Sequence, residues 1–389
     1  MFRDFILNGQ GEGPVGSVLQ GCQYDQGLLR PYYDENGDRV CAMNTGKTKF
    51  DAKLNRDVPV LQKVLVQDLI ANGISSPVFN ALTMRKDEWL RMDQAVLKAT
   101  RQRTRAWADL ATSETYGGFD GMSSMILEHE TMNDPGEAFQ DMDTLTEARN
   151  DTPKFQLEGL PLPITHAGFW FSSRRMAVSR NSGKPLDTTL IESSTRRVVE
   201  MVERQTIGVS TGMLYGNNAN YSRNSQVYGY TNFPARMTKT DLTIPTGSNP
   251  EVTVNEVLVM RDSMYNAGFY GPFMVYHSTD WDKYLDNDYA RLGGNNASMT
   301  LRDRLRKIDD VQDVRRLDFL TAANSHAFTM VMVQMTGDVA RAVNGMNMSV
   351  VQWESNGGSK LNFKVMCIWV PQLRADINGN CGILHARTA

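Results

Sequence analysis

One stretch of the chain, residues 160–210, constrains the fold more than any other part. Residues 165–172 alternate between two sets of side chains, which predicts a β-strand with apolar rings available to both faces. The turn-forming sequence Asn-Ser-Gly-Lys-Pro follows at 181–185, and Asp187 is placed to cap a helix. The helix is predicted to span about 187–207 and to be roughly 30 Å long. A strand that leads into a long helix is typical of a scaffold.

The predicted helix is amphipathic, because its apolar residues recur at helical intervals. The predicted buried stripe consists of Leu190, Ile191, Ser194, Val198, Val199, Met201 and Val202. The residues predicted to lie mostly on the opposite side are Arg196, Arg197, Glu200, Glu203 and Arg204. No nucleophile, base or metal ligand stands here at a catalytic spacing, so the helix indicates packing rather than chemistry.

The composition is that of a globular protein with an ordinary core. The chain has 389 residues, of which 41% are hydrophobic and 22% charged, which suggests two or three domains and excludes a disordered chain. Its formal net charge of −3 gives no global electrostatic case for nucleic acid or an anionic membrane as partner. The sequence has neither a long apolar run nor a signal-peptide pattern, so we expect no membrane span. The 4 cysteines form no CxxC pair, which fits a reducing compartment.

Residues 1–83 do not show the pattern of a compact domain. A turn at 34–38 joins two short predicted strands. A further apolar run at 58–66 contains Pro59, which disfavours a central strand. The segment is therefore predicted to be an arm that lies on other surfaces, and a small N-terminal subdomain is the alternative.

A helix is predicted from Thr83 to Leu110, with Thr83 as its cap and acidic residues in its first turn. Its second half carries a basic cluster. The candidate contact residues in this cluster are Lys98, Arg101, Arg103 and Arg105. A basic cluster marks a nucleic-acid contact, a solvated face or a site for a partner's acidic residues, and the pattern leaves these open.

A long hairpin is predicted between residues 117 and 165. Its strands run from Met122 to Thr131 and from Phe155 to Leu160, and an acidic excursion joins them. The candidate contact residues in the excursion are Glu137, Asp141, Asp143, Glu147 and Asp151. Two strands cannot bury both of their faces alone, so the hairpin is expected to need another surface, such as a neighbouring subunit.

The acidic excursion has two candidate partners within the sequence. One is the basic cluster described above, and the other is a predicted basic helix at 301–308. The candidate contact residues of this helix are Arg302, Arg304 and Arg306. The alternative is a solvated acidic loop, since exposed ion pairs contribute little free energy.

Residues 235–345 are predicted to form a compact α/β unit. Its elements are a helix at 253–267, a buried strand at 273–277, a short helix at 280–285, the basic helix, and strands at 311–320 and 328–335. A long hairpin follows at 346–374, with its turn at 356–359. The strands of this hairpin are expected to extend the sheet against which the long helix packs.

The sequence shows no established catalytic motif in a suitable context. Residues 11–16 match G-x-G-x-x-G, but no βαβ unit follows, so dinucleotide binding is not expected. The chain lacks Walker A, HExxH and GxSxG sequences, and its 5 histidines are isolated from one another. We therefore expect no catalytic residue, cofactor or metal ion. The enzymatic alternative would use His277, Asp280 and Asp282, at the end of a predicted strand.

The order of these features resembles one known family. The strand at 165–172 leads to Arg174-Arg175, then to Asn181-Ser182-Gly183 and Pro185-Leu186-Asp187, and then to the long helix. This order resembles the spine-helix region of the HK97-like major capsid proteins and, within that superfamily, the branch shared with encapsulins.

Three further segments are similar to the same branch. Residues 87–93 resemble the helix opening before the E-loop, and residues 160–163 followed by Phe169 and Arg174 resemble the return of the E-loop into the spine. Residues 344–351 and the strand into 374–376 resemble the C-terminal hairpin. The resemblance depends on the order of these motifs, because each of them alone is diffuse.

The resemblance implies an α+β, HK97-like capsid fold with an N-terminal arm, an E-loop hairpin, a P-domain and an α/β A-domain. The implied boundaries are 1–83 for the N-arm, 84–117 for the P-domain helix region, 118–165 for the E-loop, 166–234 for the P-domain with the spine helix, 235–345 for the A-domain, and 346–389 for the closing hairpin and C-terminus.

The resemblance also implies a function. Members of the family are structural proteins, not enzymes, and assemble into icosahedral shells of pentamers and hexamers through E-loop overlap, N-arm exchange and A-domain contacts. A phage capsid, assembled in the host cytoplasm and located in the virion, would enclose double-stranded DNA and contact it non-specifically at its inner face. Portal, scaffolding or cement proteins are further candidate partners. An encapsulin would instead enclose cargo protein, and the long N-terminal arm favours the phage capsid.

Overall fold

A computed structural model of the chain provides the architecture. The residues that it describes are 31–33, 36, 38–51, 56–71, 84–101, 104–119, 121–132, 142, 155–181, 188–209, 226–244, 251–287, 299–376 and 379–388. The G-x-G-x-x-G sequence at 11–16 and the acidic excursion, apart from Met142, lie outside the described residues.

The described part of the chain contains both helices and strands. The α-helices are α1 (Val66–Ala71), α2 (Lys86–Arg101), α3 (Ala106–Ser113), α4 (Ser173–Asn181), α5 (Thr189–Ile207), α6 (Glu251–Asn266), α7 (Asp282–Leu285) and α8 (Leu301–Arg306). The strands are β1 (Pro31–Tyr33), β2 (Arg39–Asp51), β3 (Arg56–Leu65), β4 (Met84–Arg85), β5 (Thr115–Tyr116), β6 (Ile126–Met132), β7 (Phe155–Pro161), β8 (Thr165–Ser172), β9 (Met237–Lys239), β10 (Phe273–His277), β11 (Val311–Arg316), β12 (Met330–Gln334), β13 (Ala340–Ser355), β14 (Lys360–Leu373) and β15 (Ile383–Ala386). No helix in this part of the chain is long and apolar enough to cross a membrane.

The long predicted helix is α5, and it packs on a four-stranded sheet of order β5-β13-β14-β8. Strand β8 pairs antiparallel with β14, which brings the ring of Phe169 to 5.2 Å from that of Phe363 between centroids. These rings and Phe171 are buried in one core with the inner face of α5. Burial of each ring is worth about 2 kcal/mol, so this contact is a main source of stability. The predicted strand, long helix and closing hairpin are confirmed.

The faces of α5 differ from the prediction at three positions. Leu190 and Met201, predicted to be buried, have exposed fractions of 38% and 46%. Glu203, predicted on the polar side, is buried with 2% of its surface exposed. The periodicity of one helix cannot show which neighbour covers a given turn, and here α3 covers the turn that carries Glu203.

The single helix predicted from Thr83 to Leu110 is wrong. The structure has two helices, because α2 ends at Arg101 and α3 begins at Ala106. Thr83 lies outside the described residues. Helix α4 was not predicted, since its sequence has almost no apolar periodicity. At the start of α5, Thr188 rather than Asp187 occupies the cap position, and no side-chain bond caps the helix.

The predicted α/β unit contains a five-stranded sheet of order β11-β10-β12-β15-β9. Strand β10 runs parallel to β11 and antiparallel to β12, and all of its side chains are buried, as predicted. Helices α6 and α8 pack on this sheet through buried residues that include Val257, Met260 and Leu305. Strand β15, close to the C-terminus, pairs with β12 and so brings the end of the chain into this sheet.

The first strands form a separate sheet of order β3-β2-β1-β4. The predicted turn between β1 and β2 is confirmed by their antiparallel pairing. Pro59 lies on β3, which is an edge strand, where a residue without an N–H is tolerated. Strand β1 also pairs in parallel with β4, directly before α2, with Tyr32 opposite Met84.

Candidate functional site

The three residues of the enzymatic alternative form a structural cluster. His277 is fully buried, so a substrate cannot reach its ring. Its Nδ1 atom lies 3.0 Å from the carbonyl oxygen of Ser278, and burial lowers the pKa of His277 to about 4. Asp280 accepts a hydrogen bond of 3.2 Å from the backbone N–H of Phe328. Asp282 accepts hydrogen bonds from two arginines, which makes it an anchor rather than a free base.

Two of the candidate arginines on α8 are engaged within their own chain. Arg302 donates to Asp286 at 3.0 Å, and Arg306 donates to Asp313 at 2.7 Å. Arg304 is half-buried on the same helix. The basic charge of α8 is therefore partly neutralised by its own neighbours, and its pairing with the acidic excursion stays a prediction.

The other basic cluster spans the break between α2 and α3. Lys98 and Arg101 lie in α2, and Arg103 lies outside the described residues. Arg105 is exposed, and its Nη1 atom donates to the carbonyl oxygen of Arg316 at 3.2 Å. One member of the cluster thus connects α3 to β11. The proposed acidic partners lie outside the described residues, namely Glu137, Asp141, Asp143, Glu147 and Asp151.

Glu203 is an important residue whose role the sequence did not predict. Its Oε1 atom accepts hydrogen bonds from the backbone N–H groups of Arg105 at 3.1 Å and Ala106 at 2.8 Å. Its Oε2 atom accepts a third, from Trp107 at 3.0 Å. Free N–H groups and a positive partial charge stand at every helix N-terminus, so this carboxylate caps α3 from another helix. Burial nevertheless raises the pKa of Glu203 to about 7.

A second carboxylate connects α3 to the five-stranded sheet. Asp109, in the first turn of α3, accepts a hydrogen bond of 3.0 Å from the hydroxyl of Tyr276 on β10. It also accepts one from Arg315 on β11. Burial raises the pKa of Asp109, and Arg315 opposes this rise. These partners are 167 and 206 residues away in the chain, so no local sequence signal could have revealed them.

The hairpin of β6 and β7 is firmly docked at its base. Leu160 and Leu162 pack with Val343 and Ile368 of the long hairpin in one buried cluster. Beside them, the N–H of Gly121 donates to the carbonyl oxygen of Gly345 at 3.1 Å. The backbones are so close that a Cβ atom on Gly121 would lie 2.7 Å from the Cα atom of Gly345. The predicted hairpin is confirmed, although β6 begins at Ile126 rather than at Met122.

This hairpin exposes a large apolar side chain at each of its ends. Phe155, at the end of β7 far from the base, has an exposed fraction of 62%, and Met125, directly before β6 at the base, has one of 68%. Single exposed apolar side chains are common on proteins, but β6 and β7 pair only with each other among the described residues, and a two-stranded hairpin needs a further packing surface. The hairpin is therefore the candidate functional surface of the chain, and it is a surface for contact rather than for chemistry. Within the described ranges, no group of three or more His, Cys, Asp or Glu side chains is placed to hold a metal ion.

Comparison with known proteins identifies the family. Residues 80–386, most of the chain, match a family described as "Family of unknown function (DUF6260)". The chain belongs to this family. No curated protein matches this DUF6260 member.

Solved structures show the fold of this DUF6260 member. A virus-like particle from Pyrococcus furiosus is similar with a TM-score of 0.50 and 13% identity, over 77% of this chain and 99% of that one. The capsid of Myoviridae phage XM1 is similar with a TM-score of 0.52 and 9% identity, over 72% of this chain and 90% of that one. The chain therefore has the mixed α+β fold of the HK97-like capsid and shell proteins, and the resemblance inferred from the sequence is confirmed.

Proposed function

We propose that the chain is the subunit of an icosahedral shell, and that this shell is the capsid of a tailed phage around double-stranded DNA. The observation that carries the proposal is the likeness to the phage XM1 capsid over 72% of this chain and 90% of that one. The role is structural rather than enzymatic, and the buried His277 cluster supports this because it serves packing.

The described elements are compatible with the contacts that such a shell would need. We assign the E-loop to the hairpin of β6 and β7, the N-arm to the segment with β1–β3, the spine helix to α5 and the A-domain to the five-stranded sheet. The exposed Phe155 and Met125 would be covered by a neighbouring subunit, and so would Leu190 and Met201 on the outer face of α5. Such contacts close into rings of five and six subunits when the rotation between neighbours allows closure.

The second candidate function is a nanocompartment shell around cargo protein. The likeness to the virus-like particle from Pyrococcus furiosus supports it, because that chain is covered over 99% of its length. Strands β1–β3 precede the region that matches the family, and such an added segment favours the arm of a phage capsid. Scaffolding, portal or cement proteins would be further partners of the phage capsid, which would be assembled in the host cytoplasm and located in the virion.

Light scattering on the purified chain tests whether it assembles into a shell. The expected mass is many times the 43.6 kDa of one chain. Nuclease sensitivity and mass spectrometry of the contents then separate the two candidates, since nucleic acid supports the capsid and a single cargo protein supports the nanocompartment. A chain that stays monomeric even when scaffolding and portal proteins are supplied would refute both.

A further inference from the structure

Helix α3 lies between two parts of the fold and is held to each by one carboxylate. Glu203 of α5 caps its N-terminus through three backbone N–H groups. Asp109 in its first turn holds Tyr276 and Arg315 of the five-stranded sheet. Since α5 packs on the four-stranded sheet, α3 mechanically connects the two sheets.

Among the residues that the structure describes, three ionisable groups interact with Glu203, each from a different segment. Asp109 lies on α3, Tyr276 lies on β10, and Tyr230 lies in the turn at 230–232. The rings of Tyr230 and Tyr276 are stacked with centroids 5.9 Å apart.

Two nearby arginines are directed elsewhere. The guanidinium of Arg105 bonds to the carbonyl of Arg316. That of Arg204 lies 4.7 Å from the ring centroid of Phe319. Glu203 is therefore a carboxylate held by backbone dipoles, and no cation among the described residues forms an ion pair with it.

We propose that Glu203 and α3 form a proton-controlled joint between α5 and the five-stranded sheet. The ionised carboxylate holds the N-terminus of α3, and its protonation releases that hold. The reason is the arrangement of the donors. A neutral carboxylic acid carries an O–H donor, and its three hydrogen-bond partners here are N–H donors too. The protonated group can still accept hydrogen bonds, but it has lost its charge and its O–H finds no acceptor among these three partners, so the three bonds weaken.

The pH at which Glu203 takes up a proton follows from the burial of its carboxyl group. In an unfolded chain the pKa of Glu203 is about 4.5, and burial raises it to about 7 in the fold. Between these values the native protein takes up a proton and the unfolded chain does not, so protonation favours the native state overall. The joint therefore loosens as the pH falls through neutrality while the fold as a whole is retained, which distinguishes this event from acid unfolding.

Hydrogen exchange measured by mass spectrometry on the full chain tests the joint. Between pH 8 and pH 6, we expect the protection of amides 105–107, corrected for intrinsic rates, to fall by about tenfold, as the replacement of a charged acceptor by a neutral one implies. Helix α8 is an internal control, because its cap is the neutral hydroxyl of Thr300, which accepts from Asp303 N–H at 3.2 Å. Protection there should stay constant.

Two variants sharpen the test. Glu203→Gln fixes the neutral state, so amides 105–107 should show low protection that is independent of pH. Glu200→Gln is the matched control, because Glu200 lies one turn earlier on α5 and pairs with Arg196 at 3.8 Å. It should behave like the wild type.

Two outcomes would overturn the proposal. One is wild-type protection at 105–107 that does not change between pH 8 and pH 6, a result that needs no variant to fold. The other is a Glu203→Gln protein with the pH response of the wild type. Neither result depends on whether the chain assembles into a shell, so the joint and the proposed function are tested separately.

Discussion

At the scale of single residues, Tyr230 and Tyr276 are two buried, stacked tyrosines that differ in one hydrogen bond. The hydroxyl of Tyr276 donates to Asp109, whereas that of Tyr230 has no hydrogen-bond partner in the described part of the chain. We expect Tyr276→Phe to lower the free energy of unfolding by about 1–2 kcal/mol, because it removes a bond to a buried carboxylate. Tyr230→Phe is the control and should not lower it, because its buried hydroxyl has no hydrogen bond to lose.

Denaturant unfolding of both variants at neutral pH measures this difference. Equal losses in the two variants would show that the hydroxyl of Tyr276 is not an anchor of α3. The two substitutions remove the same atom from neighbouring sites, so changes in hydrophobic burial cancel in the comparison.

A buried histidine makes the stability of the fold depend on pH. Burial lowers the pKa of His277 from 6.5 to about 4, so the unfolded chain binds a proton between these values and the native protein does not. Above pH 6.5 this group does not lower the free energy of unfolding. As the pH falls from 6.5 towards 4, that free energy falls by on the order of 3 kcal/mol. His385, with a pKa lowered to about 3 chiefly by burial, acts in the same direction.

Glu203 opposes this trend, so the prediction is best tested without its titration. In a Glu203→Gln background, the free energy of unfolding should fall steadily from pH 6.5 to pH 4.5 in equilibrium denaturation. A flat profile would contradict the buried, neutral state of His277.

The sequence revealed apolar burial at the residue scale better than polar contacts. Val198 and Val202 were predicted to be buried from their spacing alone, because periodicity reports one face of a helix. Glu203 was not, because its partner Ala106 is 97 residues away and the carboxylate resembles any charge on a solvated face. Long-range capping leaves no mark in the local pattern.

At the scale of elements, the hairpin of β6 and β7 depends on a close approach of two backbones. A Cβ atom on Gly121 would lie 2.7 Å from the Cα of Gly345, which side chains cannot relieve by moving. Gly121→Ala should therefore lower stability by about 1–3 kcal/mol and loosen the base of the hairpin. Gly117→Ala is the matched control, since its Cβ would have an ordinary contact of 3.6 Å with the carbonyl oxygen of Asn344.

Limited proteolysis at the base of the hairpin, together with thermal unfolding, measures both effects. If Gly121→Ala is as stable and as resistant as Gly117→Ala, the close approach does not hold the hairpin in place.

Elements with strong periodicity were predicted well, and those fixed by distant contacts were not. Strands β8 and β10 and helices α5 and α6 fall close to their predicted positions. The break between α2 and α3 was missed because no proline or glycine marks it, and α4 was missed because its residues are mostly polar. Tertiary contacts determine both features.

At the scale of the whole molecule, assembly is expected to depend on apolar residues that the single chain leaves exposed. Phe155→Ser removes one such residue, which has 62% of its surface exposed. The change should leave the free energy of unfolding of the subunit within about 0.5 kcal/mol of the wild-type value. It should abolish or strongly reduce the formation of shells. Circular dichroism and light scattering on the same sample separate the two effects, and normal shells from Phe155→Ser would exclude this residue from the interface.

The fold as a whole was recognisable from the order of its segments rather than from any one motif. That order indicated the HK97-like architecture, which the solved capsid structures confirm. The pairing of β15 with β12 was not visible, because a strand of 4 residues carries too little pattern to assign it to a sheet. The acidic excursion and its basic partners remain predictions about contacts between subunits.

Electron microscopy of the chain expressed alone, in negative stain, tests the shell assignment most directly. We expect closed particles of uniform diameter, tens of nanometres across, built from this one polypeptide. A field of single subunits that stays unchanged when scaffolding and portal proteins are added would contradict it, and the HK97-like fold would then serve another purpose in this chain.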